Sequence, residues 1–195
     1  LGGSVGAVMN LQINNFLAFQ PSLSFTKKGT ALDLGSNESG EAILTGYNRV
    51  RVAYLELPLN LAIGIRLGPG QAQFFAGPYL AMAICGKQRW DYEENVNGVR
   101  TQIDGDKKII FGNEAEEDMT GSTEDIYQRR FDYGIDFGLG YRYKQLLFNL
   151  GFAMGLANLQ PESPGEDSFS KDHKYFNRTI FLNAAWLFGK GSKGE

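Results

Sequence analysis

The sequence predicts an all-β chain folded as an antiparallel, up-and-down transmembrane β-barrel, with eight strands expected and seven visible in its 195 residues. Three observations carry that expectation. From Ala53 to Arg66 every second residue is apolar: Ala53, Leu55, Leu57, Leu59, Leu61, Ile63 and Ile65. Between them lie Tyr54, Glu56, Pro58, Asn60, Ala62, Gly64 and Arg66. A period of two describes a strand with two unlike faces. Crossing a bilayer takes about 9–11 residues of tilted strand, whereas soluble strands usually stop at about 5–6. Second, the same alternation returns in six further stretches. Third, the connections alternate between short and long, the pattern of barrels with tight turns on one side and loops on the other.

Each element follows from its own residues. Val5, Ala7, Met9, Leu11 and Ile13 form the apolar face of a first strand, which Asn14-Asn15 ends in a tight turn. Leu17, Phe19, Pro21, Leu23 and Phe25 face the same way in the second, with Ala18, Gln20, Ser22, Ser24, Thr26 and Lys28 opposite. Pro21 cannot donate to a ladder, so it predicts an edge or a bulge there. Residues 30–46 read as a polar loop before the Ala53–Arg66 strand, and Leu67-Gly68-Pro69-Gly70-Gln71 reads as a short turn. Phe74, Ala76, Pro78, Leu80, Met82 and Ile84 then face out, leaving Phe75, Tyr79, Ala83, Cys85 and Lys87 inward.

Residues 93–125 read as a long acidic loop in which Asn97-Gly98 suggests a hairpin, so that strands extend beyond the membrane. Phe131, Tyr133, Ile135, Phe137, Leu139, Tyr141 and Tyr143 oppose Asp132, Gly134, Asp136, Gly138, Gly140 and Arg142. Lys144-Gln145 turns into Leu146, Phe148, Leu150, Phe152, Met154 and Leu156. After a third loop at 160–174, Ile180, Leu182, Ala184, Trp186 and Phe188 form the outer face of the last strand. Residues 1–188 are thus one barrel domain, and 189–195 a polar tail.

Composition agrees. A net charge of −3 gives no nucleic-acid footprint, and 43% hydrophobic residues exclude a disordered chain. The 25 glycines suit crowded inward faces, and the 13% aromatics suit membrane interfaces. A single cysteine, Cys85, excludes an intrachain disulfide; it is read as a small buried residue facing inward.

Loop lengths also set topology. With the short turns on the periplasmic side, the last strand runs inward, and so does the first. Seven antiparallel strands would have to close through a parallel pair, and an open edge in lipid leaves backbone groups unsatisfied. An eighth strand is therefore expected, upstream of Leu1 or from another chain.

The order of several short pieces resembles the PorT-type outer-membrane barrel family of gram-negative bacteria. The pieces are Gln20 to Gly29 (QPSLSFTKKG), Tyr54 to Leu59 (YLELPL), Ala76 to Leu80 (AGPYL), Asp136 to Gly140 (DFGLG), and Gly155 to Leu159 (GLANL) followed by Asn177-Arg178. The resemblance implies a bacterial outer-membrane location and a further glycine-rich strand ahead of this region. Its founding member is linked to protein secretion across the outer membrane.

Charged inward positions are candidates for chemistry: Glu56, Arg66, Lys87, Arg130, Asp132, Asp136 and Arg142. Charges in a narrow lumen must be paired, and the preferred reading is an ion-paired filling of an eight-strand barrel. A conductance path or ligand pocket is the rival, opposed by the bulk of Phe75, Tyr79 and Phe181. Glu114, Glu116, Glu117 and Asp118 read as a solvated loop, and Asp104-Gly105-Asp106 is too short for a calcium loop. His173, with Ser168, Ser170 and Asp172, falls in one polar loop and is not read as catalytic. No cofactor, metal or catalytic residue is assigned. Tyr133, Tyr141, Tyr143, Trp186 and Phe188 read as interface girdles.

The expected role is structural, scaffolding or protein-interacting. The expected partners are outer-membrane lipid or lipopolysaccharide, and proteins meeting loops 30–46, 93–125 and 160–174. The alternative is a soluble, lipocalin-like barrel holding an apolar ligand, which would turn the apolar faces inward. An arginine at Leu59, mid-height on the apolar face, should cost about 2–4 kcal/mol in bilayers, while Asn60→Ser on the other face should be mild. Equal unfolding free energies for the Leu59→Arg and parent chains in lipid vesicles would reverse the face assignment.

Overall fold

The computed structural model describes residues 3–39, 42–96, 99–112, 126–160 and 175–187. The strands are β1 (Gly3–Val8), β2 (Leu11–Gln12), β3 (Leu17–Ser39), β4 (Ala42–Leu67), β5 (Gly70–Val96), β6 (Val99–Phe111), β7 (Ile126–Gln128), β8 (Phe131–Tyr143), β9 (Leu146–Gly155) and β10 (Arg178–Trp186). The barrel wall runs in the order β1-β3-β4-β5-β8-β9-β10, every pair antiparallel, with β2 continuing the line of β1 against β3. These are the seven alternating stretches.

Backbone pairing makes the outer face legible as rows. One row crosses the whole wall in register: Leu11, Phe19, Leu61, Ala76, Phe137, Phe152 and Ile180. Leu57 is 39% exposed, Leu61 50%, Phe137 40% and Leu150 56%. Asp132 and Asp136, on the opposite face of the same wall, are only 1% and 6% exposed. The apolar faces therefore point away from the barrel and the charges into it. That arrangement overturns the lipocalin-like alternative, which needs the reverse.

The inner face is packed by size. Ala18, Ala62, Phe75, Gly138, Gly151 and Phe181 share one inner row. The Phe75 and Phe181 rings lie 6.2 Å apart across the glycines. A Cβ on Gly138 would stand 2.6 Å from the tip of Phe75, so the glycine there provides room for the ring.

The short turns sit where expected. The Asn14 side-chain oxygen accepts from the backbone N–H of Phe16 at 3.0 Å and of Leu17 at 2.8 Å. Gly68 supplies the positive φ, 61°, that lets β4 reverse into β5 within two residues. Tyr143, Leu146 and Trp186 lie in one row at this end, and the Tyr141 hydroxyl donates to the Leu67 carbonyl at 3.0 Å. Tyr141, Tyr143 and Trp186, three of the aromatics expected at an interface, are thus gathered at the short-turn end; Phe188 lies outside the described residues.

Several expectations are corrected. Pro21 is neither at an edge nor at a bulge: β3 pairs on both sides, and the proline only interrupts the ladder between β1 and β2 without shifting register. Residues 30–39 and 42–46 are not loop but continued strand, because β3 and β4 keep pairing from Thr30↔Val50 up to Ser39↔Ala42. Most of 93–112 is likewise strand: β5 runs to Val96 and pairs with β6 from Val96↔Val99 to Lys87↔Lys108, the expected hairpin. Strands of 23, 26 and 27 residues (β3, β4 and β5) far exceed a bilayer crossing.

One extra residue in β5 also changes which side chains face out. Ala53 pairs Cys85 while Tyr54 pairs Ala83, so Ile84 is an extra residue in β5. Such a bulge turns every later side chain to the other face. Cys85 is therefore exposed rather than buried, and Lys87 is also exposed, on the outer face rather than in the lumen.

Candidate functional site: the filled lumen

Local alternation brings the inner charges together. Lys28 on β3 and Glu56 on β4 both occupy inward positions, and the ammonium meets the Glu56 carboxylate at 2.5 Å. Both side chains are nearly enclosed, 8% and 12% exposed. The same ammonium lies 5.4 Å from the Tyr54 ring centre and 5.0 Å from that of Tyr79, so two aromatic faces share its charge.

Glu56, Ala81 and Asp132 form one inner row, the alanine leaving space between the two carboxylates. Asp132 Oδ2 accepts from the Tyr79 hydroxyl at 3.1 Å and from Asn177 Nδ2 at 2.9 Å. Asn177 also lies 3.3 Å from the Tyr54 hydroxyl, which accepts from Gln128 Nε2 at 3.0 Å. Toward the short turns, Gln20 and Gln73 exchange hydrogen bonds at 3.1 and 3.2 Å, and Gln73 donates to Asn149 at 3.2 Å. Phe75 and Phe181 lie between that group and Asp132.

Two spaces remain. One, of about 300 Å³, is lined by Lys28, Glu56, Asn60, Phe75, Asp136 and Asn149, and by β1 on one side and β10 on the other. The second, of about 280 Å³, lies against Lys28, Tyr54, Gln128, Tyr175, Asn177 and Arg178. Lys28 lines both.

Of the charges expected inside, Glu56, Asp132 and Asp136 converge. Arg66 and Arg142 stand at the short-turn end, paired through Gln71, with Arg66 exposed. Arg130 is exposed at the bend before β8, where alternation stops. His173, Ser168, Ser170, Asp172 and the carboxylates of 114–118 lie outside the described residues. Among the described residues, no three His, Cys, Asp or Glu side chains group to hold a metal.

Sequence reasoning placed Lys28 on the inner face but did not count it among the lumen charges, although the alternation alone located it. Gln128 and Asn177 were missed because neither belongs to an alternating stretch. Only the fold brings them over Tyr54.

An apolar exterior, a polar interior built around the Lys28–Glu56 ion pair and antiparallel neighbours along the whole wall define an integral β-barrel of the bacterial outer membrane. Residues 1–160 match the family model for the outer membrane protein beta-barrel domain, and the chain belongs to that family. No curated protein and no solved structure matches it.

Removing one partner of an enclosed ion pair leaves the other charge uncompensated, at about 3–5 kcal/mol, while replacing both is often neutral. Lys28→Met should thus lower the unfolding free energy in vesicles by about that amount, and adding Glu56→Met should restore most of it. If the double variant is as unstable as the single one, the pair does not hold the lumen.

Proposed function

We propose that this outer-membrane barrel is closed to diffusion and acts as a structural or scaffolding element, presenting its long strand extensions to protein partners. One observation carries the reading: three successive inner layers fill the lumen. They are the Lys28 layer, the Phe75–Phe181 layer and the Gln20–Gln73–Asn149 layer. Meanwhile β3 to β6 continue beyond the apolar band as a sheet with polar faces. With short turns in the periplasm, that sheet stands outside the cell. The link to secretion, and the PorT-type assignment itself, rest on the resemblance alone; the geometry adds no support to either. In planar bilayers the purified protein should show no stable conductance steps. Steps of porin size would overturn the closed-lumen reading.

The wall has one seam. β1 and β10 end the strand order, and stepwise antiparallel pairing from one to the other makes them mutually parallel. One further strand, upstream of Leu1 or from another chain, would be antiparallel to both and would satisfy both edges. The 300 Å³ space is lined by Val5, Ala7, Leu182 and Ala184 of those edges. In this structure the two edges approach within 8 Å between Cα atoms; an intervening strand would hold them about 9–10 Å apart, twice the inter-strand spacing, too far for a disulfide. In the protein as it assembles in the outer membrane, Ala7→Cys with Ala184→Cys in a Cys85→Ser background should stay reduced under mild oxidation. Rapid cross-linking would show direct closure of seven strands.

A further inference from the structure

The outer face changes character at one height. Phe25, Leu55, Met82 and Phe131 form the topmost fully apolar row. The next row holds Lys27, Ala53 and Cys85, and the one above it Gly29, Arg51, Lys87 and Lys108. Above that come Ala31, Arg49, Arg89 and Asp106. Only then do acids take over, with Tyr47, Asp91 and Asp104 in one row and Thr45, Glu93 and Gln102 in the next. Lys27, Arg49, Arg51, Lys87, Arg89 and Lys108 are all exposed.

This terrace is electrostatically unfavourable for the protein alone. Neighbouring strands lie about 4.7–4.9 Å apart, so Arg51, Lys87 and Lys108 stand side by side, and like charges directly opposite destabilise a sheet. One carboxylate offsets them: Asp106 receives the Lys87 ammonium at 2.7 Å. That hydrogen bond, helped by the nearby Arg89, holds the Asp106 carboxyl below the usual carboxylate range, so it is ionised at neutral pH. Among the described residues, Lys27, Arg49, Arg51, Arg89 and Lys108 have no carboxylate within ion-pair distance. The lumen is different, since its cation Lys28 is matched by a carboxylate. The Ile84 bulge builds the terrace, because without it Lys87 would face inward.

We propose that this basic terrace binds the phosphate groups of anionic lipid headgroups, with the apolar rows beneath it seated against the same lipid's acyl chains. Two features select a membrane lipid over a free anion. The cations border the apolar band directly, where headgroups meet hydrocarbon, and they spread over three rows rather than converging on one point. Rows on one face repeat about every 6.6–6.8 Å, twice the rise per residue, so the terrace spans a headgroup carrying more than one phosphate. A juxtamembrane cation near an anionic surface contributes about 1 kcal/mol. The outward orientation proposed above makes the lipid a phosphorylated glycolipid of the outer leaflet. The terrace itself does not depend on that orientation.

The test uses purified, folded protein extracted from vesicles of phosphatidylcholine mixed with either diphosphoryl lipid A or its dephosphorylated form. Retained lipid is counted by native mass spectrometry. The parent protein should keep the diphosphoryl lipid in preference to the dephosphorylated one. Arg51→Gln with Lys108→Gln should lose about tenfold or more of that retention while keeping heat-modifiable mobility in gels. Arg49→Gln with Arg89→Gln provides a second pair should the first fail to fold. Equal retention of the two lipids, or unchanged retention by either folded double variant, overturns the proposal. So does displacement of the lipid by millimolar inorganic phosphate, which would indicate a free-anion site. Orientation is read separately, by labelling an epitope inserted at Asn97-Gly98 on intact cells. Failure there would reassign the leaflet and leave the lipid result standing.

Discussion

In hydrocarbon a peptide group has no partner except another peptide group, and each one left unpaired costs several kcal/mol. Everything else in this molecule is subordinate to that condition. The wall meets it with long ladders: β4 alone pairs with β3 and β5 over nearly its whole length. Pro21, Pro58 and Pro78 each remove a donor from this ladder, yet the register on either side of Pro21 is unchanged. The rows above and below hold the interrupted stretch in place. The same condition makes the seam between β1 and β10 the most consequential feature of the wall.

Pairing fixes the faces, and the faces fix the chemistry. Once register is set, alternate residues go to lipid or to lumen without further choice. The interior must then be filled with what the inward positions supply. Glycines on β8 and β9 let Phe75, Phe181 and Tyr79 cross the space, while Gln20 pairs with Gln73 and the Tyr79 hydroxyl with Asp132 around them. An ion pair inside such a lumen adds little net stability over an apolar filling. What Lys28 does is neutralise Glu56 and bring two tyrosine rings onto one point.

The Ile84 bulge has the opposite effect, because it breaks the alternation at the height where the apolar band ends. Below it the sheet presents hydrocarbon-compatible rows; above it the same strand presents Lys87 and Arg89 to the outside. One inserted residue thus separates a membrane-spanning half from a water-facing half. The extensions of β3 to β6 carry mixed charges, with Arg100 facing Glu93 at 3.5 Å far from the band.

The sequence by itself determined the fold class, the seven strands of the wall, their faces within the membrane and the positions of the short turns. It could do so because a period of two over more than ten residues has one structural meaning when the outside is hydrocarbon. It also placed Glu56, Asp132 and Asp136 correctly, since they lie inside unbroken alternation. Only the tertiary structure decided what lies beyond that alternation. Residues 30–39, 42–46, 93–96 and 99–111 look like loops because both faces of a sheet in water can be polar; the pairing partner, not the pattern, makes them strands. Cys85 and Lys87 changed sides because a bulge is a property of two strands in register, and neither strand encodes it alone. Gln128 and Asn177 reach the lumen from segments with no periodicity, so their role depends on where the chain returns in space.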